Sequence, residues 1–425
     1  MKKKIEKYFD RLFPLHRSIT GTGYRKSLDI LSEIMPMKKI DFKTGTKVFD
    51  WKIPEEWNVT HATLKDQNNK KILDFKDNNL HLLGYSKKFK KMLSFNELKK
   101  HLYYEKKLPK AIPYITSYYK KRWGFCLSYN HFKKLNKKIK YKVDINTKFS
   151  NGKLRIGENF IKGKSNKEII ISSYLCHPSM ANNELSGPLT LVFLYNELKK
   201  MNLYYSIRFV INPEGIGAIS YLSRFKNKLK NNAIGGYQIT CCGLNDGPVY
   251  KKTKNGNSVI DIAMQKVLQK INHKTFNFYP TGSDECRYNS LGINIMFGTF
   301  MRCRVDSYKE YHTSLDNKKI INFSNMEKNV NILKRTILFI NTLNFYKSLN
   351  IDCDPFLSKR NIYSSLSKFN SFKRINKINL AFFWLNSYSD GRISTYEIAK
   401  MSKIPIKIIE IAAKILINKK LLKKL

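Results

Sequence analysis

Side chains that could bind a metal ion or move a proton recur in four polar loops of the sequence. In chain order they are His177, Asn183 and Glu184; Glu214; Asp284 and Glu285; and Glu310, His312 and Asp316. Imidazole and carboxylate ligands without thiolate suit zinc, and suit manganese or iron less well. Such an ion would polarise a scissile carbonyl and lower the pKa of bound water, with a nearby carboxylate as general base. Because acids and histidines are also common in ordinary loops, their spacing alone leaves a structural role open.

Each of these loops follows a segment that has the character of a β-strand. Residues 168–175 (EIIISSYL) are β-branched and bounded by polar residues, which is typical of a central strand, and residues 188–200 have helical spacing. The succession of strand, polar loop and helix returns at residues 204–222. Because ligands bind outside the carboxyl ends of strands in open α/β sheets, the loops could converge there. We therefore predict an α/β fold with a mixed sheet flanked by helices.

The last polar loop contains two acids beside its histidine. A metal-bound imidazole usually donates its other N–H to a carboxylate or a carbonyl. Glu310 and Asp316 are therefore expected to orient His312 rather than to bind an ion themselves.

A mainly β domain is predicted to interrupt the α/β pattern. After two helical segments in residues 1–37, short apolar runs alternate with Gly, Pro, Asn and Asp turns, which favours strands at about 43–135. Within this domain, Ser94 and Glu97 predict a capped short helix, and the aromatic residues 117–130 predict a strand. The α/β domain then comprises 1–42 and 136–350, and it begins its second part with a hairpin turning at Asn151-Gly152.

The last part of the chain, residues 351–425, is predicted to be a winged-helix-like domain of three short helices. Ser394 and Glu397 predict a capping box at the start of the second helix. The unit could bind DNA or a partner, or it could be a packing module. The second interpretation is favoured because arginine, the usual base-reading residue, occurs there only as Arg374 and Arg392.

Composition argues against nucleic-acid and membrane partners. The net charge of +47 comes from 79 Lys and Arg against 32 Asp and Glu, but the basic residues are mostly lysines spread evenly among Asn and Ile, as an AT-rich genome would give. No apolar stretch is long enough for a membrane span, and charges interrupt the N-terminal segment, so we predict a cytoplasmic protein. The seven cysteines include no CxxC pair and are expected to be reduced.

Four motifs together resemble a known family. They are CHPSMANNELSG (176–187), NPEGIG (212–217), GSDECRY (282–288) and EYHTSLD (310–316). In this order the motifs are similar to those of the bacterial aminopeptidase-like family, which shares the zinc aminopeptidase fold and also has an inserted β domain and a C-terminal winged helix. The resemblance covers essentially the whole chain. Members of the family are often met among genes for surface-polysaccharide synthesis.

The resemblance implies a zinc site and assigns its residues. The metal ligands would be His177, Glu214, Asp284 and His312, holding one or two zinc ions. By our leading hypothesis Glu184 or Glu285 is the catalytic base, although Glu214 can itself be ligand or base, but hardly both. Two positions depart from the family pattern. Asn183 stands where a bridging Asp is usual, and Pro213 precedes Glu214 where a second Glu is usual.

The resemblance also implies a function. We expect a metal-dependent hydrolase that cleaves a peptide or amide bond, with a peptide, a small molecule or a sugar amide from surface-polysaccharide synthesis as substrate. Asn183 keeps a second hypothesis open, namely a catalytically inactive protein of the same fold that binds a sugar or peptide or serves as a scaffold. Specific nucleic-acid binding through residues 375–425 is the third hypothesis.

Overall fold

The structure is a computed structural model that describes residues 1–117, 119–362 and 377–425. The helices of the described residues are α1 (Lys2–Leu12), α2 (Thr22–Ser32), α3 (Phe95–Lys99), α4 (Tyr129–Lys133), α5 (Ser186–Leu198), α6 (Ile216–Asn232), α7 (Val259–Leu268), α8 (Glu285–Tyr288), α9 (Phe323–Asn341), α10 (Lys377–Tyr388), α11 (Thr395–Ser402) and α12 (Ile406–Asn418). Across these described ranges, none of the helices has the length and apolar character needed to cross a membrane.

The strands fall into one large sheet and several smaller ones. In chain order they are β1 (Lys38–Lys43), β2 (Lys47–Val48), β3 (Trp51–Lys52), β4 (Glu56–Asp66), β5 (Lys71–Asp74), β6 (Phe89–Ser94), β7 (Leu102–Tyr103), β8 (Phe125–Cys126), β9 (Lys140–Ser150), β10 (Lys153–Ile161), β11 (Glu168–Tyr174), β12 (Ser206–Asn212), β13 (Ala233–Ile239), β14 (Val249–Lys251), β15 (Lys274–Phe276), β16 (Phe297–Met301), β17 (Phe345–Ser348), β18 (Asp390–Ser394) and β19 (Leu422–Lys424).

The large sheet has eight strands in the order β1-β10-β12-β11-β13-β16-β14-β15. Its centre is parallel, since β11 pairs in parallel with both β12 and β13, and β13 pairs in parallel with β16. All seven residues of β11 are buried. The predicted α/β class, with a mixed sheet between helices, is therefore confirmed.

Helices cover both faces of this sheet because successive side chains of a strand point to opposite sides. Ile169 and Ile171 belong to the core formed with α5, α7 and α9, whereas Ile170 belongs to the core formed with α6. A fully buried isoleucine stabilises the fold by about 1.5–3 kcal/mol relative to an exposed one. The continuous apolar run of residues 169–171 thus fixes β11, and the loop that follows it, at the middle of the molecule.

The inserted domain is built on a four-stranded antiparallel sheet in the order β5-β4-β9-β6. The predicted hairpin of β9 and β10 is wrong. The chain does turn at residues 151–152, but β9 pairs with β4 and β6 while β10 pairs with β1 and β12. The reason is burial, since Val143 and Ile145 pack in the core of the insertion. The smaller sheet therefore extends to Ser150, beyond the predicted boundary at residue 135.

Two local predictions within the insertion had different outcomes. The capping box of Ser94 and Glu97 is present at the start of α3 and is confirmed. The strand predicted over residues 117–130 is reduced to Phe125–Cys126, and Tyr118 lies outside the described residues. The aromatic residues of this segment do not share a ladder: Trp123 is buried and stacks on Phe89 at 4.0 Å, whereas Tyr119 is exposed.

The C-terminal domain has the predicted three helices, α10 to α12, and the predicted capping box of Ser394 and Glu397. Its three-stranded sheet has the order β18-β17-β19. Because β17 (Phe345–Ser348) is one of these strands, the domain begins before the predicted boundary at residue 351. Arg392 lies in β18, whereas Arg374 lies outside the described residues.

Candidate functional site

His177 and Glu214 meet because they follow neighbouring parallel strands. Tyr174, the last residue of β11, is in register with Asn212, the last residue of β12. The two loops therefore leave the sheet side by side, as the sequence predicted from their strand-end positions. His177 Nε2 lies 3.6 Å from Glu214 Oε2.

The other ring nitrogen of His177 is held by Glu184. His177 Nδ1 lies 2.8 Å from Glu184 Oε2, and the guanidinium of Arg17 donates to the His177 carbonyl at 3.1 Å. Burial alone would lower the pKa of His177. The surrounding acidic groups of Cys176, Tyr114 and Glu184 outweigh burial, and the pKa stands well above its ordinary value. Glu184 thus lies on the opposite side of the imidazole from Glu214.

Glu214 is a partly solvent-exposed acid of the site. Its side chain is 30% exposed, compared with 0% for Glu184. Glu214 Oε1 accepts a hydrogen bond from Ser283 Oγ at 2.7 Å. Burial raises the pKa of Glu214, against the lowering effects of His177 and the Ser283 hydrogen bond.

Asp284 is fixed by groups at the end of β12. Its two oxygens accept hydrogen bonds from Asn212 Nδ2 at 2.8 Å and from the Gly215 N–H at 2.7 Å. Gly215 has φ 69°, in the left-handed region that glycine adopts without steric cost. Burial, followed by the charge of Glu214, raises the pKa of Asp284 to about 7.

His312 comes to the same place from the loop after β16. Its ring centroid is 5.2 Å from that of His177, and its ring stacks on Tyr311 at 3.9 Å. The backbone of His312 is left-handed, with φ 53°, which is uncommon for a residue other than glycine. Burial and the neighbouring His177 lower the pKa of His312 to about 3, so its imidazole is neutral. Within the described ranges, His312 Nε2 is buried and has no hydrogen-bond partner.

The inserted domain also contributes to the site, which the sequence did not predict. The Tyr114 N–H donates to the His312 carbonyl at 2.8 Å, and Pro113 forms a β-bridge with Thr313. The Tyr114 ring lies 5.0 Å from the ring of His177 and 5.3 Å from that of His312. No motif marks Tyr114, because the residues that it contacts, His177 and His312, lie far from it in the chain.

Asp316 does not orient His312, contrary to prediction. Its carboxylate accepts hydrogen bonds from the N–H groups of Ala181, Asn182 and Asn183 at 3.2, 2.6 and 3.0 Å. These residues begin a single π-helical turn, Ala181–Leu185, whose first N–H groups need acceptors from outside the turn. Glu310 likewise acts through its backbone carbonyl, which accepts from the Thr313 N–H at 3.1 Å. The prediction was wrong because the carboxylate of Asp316 binds backbone N–H groups of another loop instead of the side chain of His312.

Two further predicted residues are engaged elsewhere. Glu285 forms an ion pair with Lys251 at 2.7 Å, and both side chains are at most 5% exposed. Asn183 is buried, and its carboxamide oxygen accepts from the Tyr174 hydroxyl at 2.8 Å. In the described part of the chain, neither side chain forms a hydrogen bond with His177 or His312.

The donors in this site suit a zinc ion on the Nε2 side of His177. Cys176, His177 and Glu184 offer ligand atoms within 4.8 Å of one another, but Glu184 already binds Nδ1, and burial raises the pKa of the Cys176 thiol to about 11. On the other side, Glu214 Oε2 lies 3.6 Å from His177 Nε2, and the ring of His312, whose Nε2 is buried without a partner among the described residues, lies 5.2 Å from the ring of His177. A neutral buried imidazole with no hydrogen-bond partner is a suitable zinc ligand.

Sequence comparisons place the chain among aminopeptidase-like proteins. A family model described as domain of unknown function DUF4910 matches residues 6–342, and a winged helix-turn-helix model matches residues 344–424. A relative from Clostridium acetobutylicum is named as a candidate polysaccharide biosynthesis protein with aminopeptidase-like domain. It is 38% identical over 422 residues, which cover 99% of this chain and 96% of the relative.

Structural comparisons agree with the sequence comparisons. A crystal structure of a candidate peptidase from Clostridium acetobutylicum is 37% identical and has a TM-score of 0.80, covering 100% of this chain and 96% of that one. A zinc aminopeptidase from Bacillus subtilis is 12% identical with a TM-score of 0.58, covering 80% of this chain and 94% of that one, which shows the fold alone. The chain therefore belongs to the DUF4910 family, and it joins an aminopeptidase-like domain to a C-terminal winged helix.

Proposed function

We propose that the protein is a zinc-dependent hydrolase that cleaves an amide or peptide bond. The observation that carries this proposal is the arrangement around His177. Its Nε2 lies 3.6 Å from Glu214 Oε2, and its ring lies 5.2 Å from that of His312, whose own Nε2 is buried and unpartnered within the described ranges. His177, His312 and Asp284 would hold the ion. Two imidazoles and one carboxylate make a three-ligand set that leaves a position for water or substrate.

Bound zinc would polarise the scissile carbonyl and lower the pKa of bound water. The chain's own residues supply the rest. Glu214 is placed to accept the proton of the attacking water, because it adjoins His177 and is exposed toward solvent. Ser283 fixes Glu214 through its 2.7 Å hydrogen bond, and Glu184 fixes the ring of His177 through Nδ1. We therefore propose Glu214 as the general base, in place of Glu184 and Glu285, which the sequence favoured.

We propose an amide on a sugar-containing intermediate as the substrate class. The support is the printed name of the Clostridium acetobutylicum relative, which mentions polysaccharide biosynthesis together with an aminopeptidase-like domain. Tyr114 and Tyr311 flank the histidines and offer apolar ring faces and hydroxyl groups beside the site. Such a mixture suits a sugar or a peptide better than a purely apolar ligand.

We further propose that the protein works in the reducing environment of the cytoplasm. All seven cysteines are free, and five of them are buried. Disulfides persist in oxidising compartments, and unpaired thiols are usual in reducing ones.

Metal analysis of protein purified without chelator tests the proposed function. The wild type should retain zinc, and added zinc should raise its melting temperature, because an ion that binds only the native state must stabilise it. His312→Ala should lose both effects. His273→Ala should keep them, since His273 belongs to a different loop and its Nδ1 contacts the Ile271 carbonyl. A wild type with less than about a tenth of an equivalent of metal and no thermal response to zinc would contradict the proposal.

A second function is favoured by one observation. The Asn183 carboxamide is buried and bound to Tyr174, at the position where the family pattern has a metal-bridging Asp. A protein of this fold that only binds a sugar or peptide would tolerate such a neutral residue. The two functions are separated by the Asn183→Asp variant described in the Discussion.

A further inference from the structure

A groove on the inserted domain has the composition of a ligand site and lies apart from the candidate zinc site. Its cavity has a volume of about 410 Å³, and its lining includes Lys52, Tyr119, Lys120 and Lys121. This volume falls in the range of about 300–1,000 Å³ that small-ligand clefts occupy. None of the lining residues belongs to the candidate zinc site. We call this cavity the lysine groove.

Two exposed aromatic rings form a pair at one side of the lysine groove: Tyr119 lines the cavity, and Trp51 lies next to Tyr119, outside the lining. Tyr119 is 55% exposed and Trp51 is 48% exposed, and their ring centroids are 6.3 Å apart. The other two tryptophans of the insertion, Trp57 and Trp123, are buried in its core. Exposed rings of this kind offer an electron-rich face that packs against the C–H groups of a sugar ring.

The pair of rings is held in place before any ligand arrives. The Tyr119 hydroxyl donates to the Lys52 carbonyl at 3.2 Å, which ties the segment after Ser117 to the short β2–β3 ribbon. Trp51 lies in β3 of that ribbon. Ordering the rings in advance reduces the entropy that a ligand would lose on binding.

The charge of the groove indicates an acidic ligand. Three lysines line it against one acid, Glu55. Lys121 is 3.5 Å from Glu55, but both side chains are well exposed, and such a pair contributes little and exchanges readily for another carboxylate. The groove therefore has an excess of positive charge beside aromatic faces.

From these features we infer that the lysine groove binds an acidic oligosaccharide, with a sugar ring on Trp51 and Tyr119 and its carboxylates near Lys52 and Lys120. The inference does not depend on zinc or on catalysis. The segment from Tyr114 to Tyr119 nevertheless connects the two places, since Tyr114 contacts His177 and His312. The Cα atoms of Tyr114 and Tyr119, five residues apart, are at most about 18 Å from each other, a distance that an oligosaccharide of a few units spans.

Titration of the full-length protein with trigalacturonate, in the presence of a chelator, tests this inference. Maltotriose is the matched neutral probe of the same length. We expect calorimetry to detect trigalacturonate binding that weakens with added salt, and maltotriose binding at least about tenfold weaker. Trp51→Ala and Tyr119→Ala should each weaken trigalacturonate binding at least tenfold.

Matched controls separate this site from general attraction to a chain of charge +47. Lys52→Gln with Lys120→Gln should abolish most of the binding, while Lys106→Gln with Lys107→Gln, which removes the same charge from another exposed segment, should leave it unchanged. Phe356→Ala removes an exposed ring elsewhere and should also have no effect. Equal losses in the two lysine pairs, equal binding of maltotriose, or no binding of trigalacturonate would overturn the inference. Because metal is absent throughout, none of these results bears on the proposed hydrolase activity.

Discussion

His177 Nδ1 lies 2.8 Å from Glu184 Oε2, within a site where His177 Nε2 faces Glu214. The contact exists because residues Ala181–Leu185 form a π-helical turn, which brings Glu184 back toward His177, seven residues earlier. π-Helical turns inside helical segments frequently mark functional sites. Because the Glu184 carboxylate occupies Nδ1, Nε2 is the ring nitrogen of His177 that remains for a metal ion.

Glu184→Gln should weaken zinc binding without unfolding the protein. A glutamine can still accept a hydrogen bond from Nδ1, but it lacks the negative charge that raises the basicity of the imidazole. We expect zinc affinity to fall by about 10- to 100-fold, as is usual when the outer partner of a metal-bound histidine is changed. Competition with a fluorescent zinc chelator measures it.

A surface glutamate provides the control for Glu184→Gln. Glu197→Gln changes an acid on α5 that pairs with Lys334 at 2.9 Å, and it should leave zinc affinity unchanged. Unaltered affinity in Glu184→Gln would show that the carboxylate serves packing alone.

Asn183→Asp should strengthen metal binding if the site is a hydrolase centre. The Tyr174 hydroxyl can donate to an aspartate as it does to Asn183, so the geometry can be kept. The added buried charge lowers the stability of the metal-free protein and is compensated when a cation binds. We therefore expect a lower melting temperature without zinc and a larger increase on adding zinc than in the wild type.

The activity of Asn183→Asp separates the two proposed functions. A variant that gains amidase activity from an inactive wild type indicates a binding protein derived from an enzyme. A variant that loses an existing activity indicates a hydrolase adapted to asparagine. Asn182→Asp is the neighbouring control, because Asn182 accepts from the Gly243 N–H at 2.8 Å and not from Tyr174.

The convergence of the loops could be predicted from sequence because it depends on local pattern. The apolar run before His177 predicts β11, the helical spacing after it predicts α5, and parallel strands end at one edge of the sheet. Once β11 and β12 are adjacent, His177 and Glu214 must be neighbours. The same argument explains why His312, in the loop after β16, comes close to them, because β16 runs parallel to the central strands. It does not explain Asp284, which follows the antiparallel strand β15 and is held at the site by Asn212 and Gly215.

The contributions of Tyr114 and Asp316 could not be predicted in this way. Tyr114 reaches the site through a bridge between Pro113 and Thr313, which joins two domains and leaves no periodic signal. Asp316 binds backbone N–H groups of a π-helical turn, and such a turn has no residue pattern that distinguishes it from the start of α5. Sequence patterns report which groups are present, whereas these contacts depend on how separate loops pack.

Replacing Glu285 alone should destabilise the protein strongly. Lys251 and Glu285 form a buried ion pair, and Glu285→Gln leaves the lysine charge without its partner. Loss of one member of a buried pair costs about 3–5 kcal/mol. Urea denaturation measures the change in the free energy of unfolding.

The double variant Lys251→Met with Glu285→Gln should recover most of that loss, because no unpaired charge remains and a glutamine can still accept from the Ser283 N–H. Glu197→Gln, at the partly exposed pair with Lys334, should cost less than about 1 kcal/mol. If Glu285→Gln were as stable as Glu197→Gln but had no catalytic activity, that result would identify Glu285 as the general base.

His16 should make the stability of the protein depend on pH below neutrality. Its ring packs against Trp57 at 5.3 Å and Phe75 at 4.8 Å, where the first helices meet the inserted domain. Burial, with a further contribution from the charge of Arg17, lowers the pKa of His16 to about 3 from its ordinary 6.5. The folded protein thus keeps His16 neutral at pH values where the unfolded chain binds a proton. Its contribution to stability is complete above pH 6.5 and declines as the pH falls from 6.5 toward 3.

His16→Phe should remove this dependence while keeping an aromatic ring between Trp57 and Phe75. Between pH 6.5 and 5 the wild type should lose up to about 1.4 kcal/mol per pH unit more than the variant, which is the free energy of one proton taken up on unfolding. Urea denaturation at intervals of half a pH unit gives the two slopes. At pH 8 the two proteins should differ little, because His16 is neutral in both the folded and the unfolded states. Parallel slopes below pH 6.5 would show that His16 takes up its proton in the folded protein as readily as in the unfolded chain.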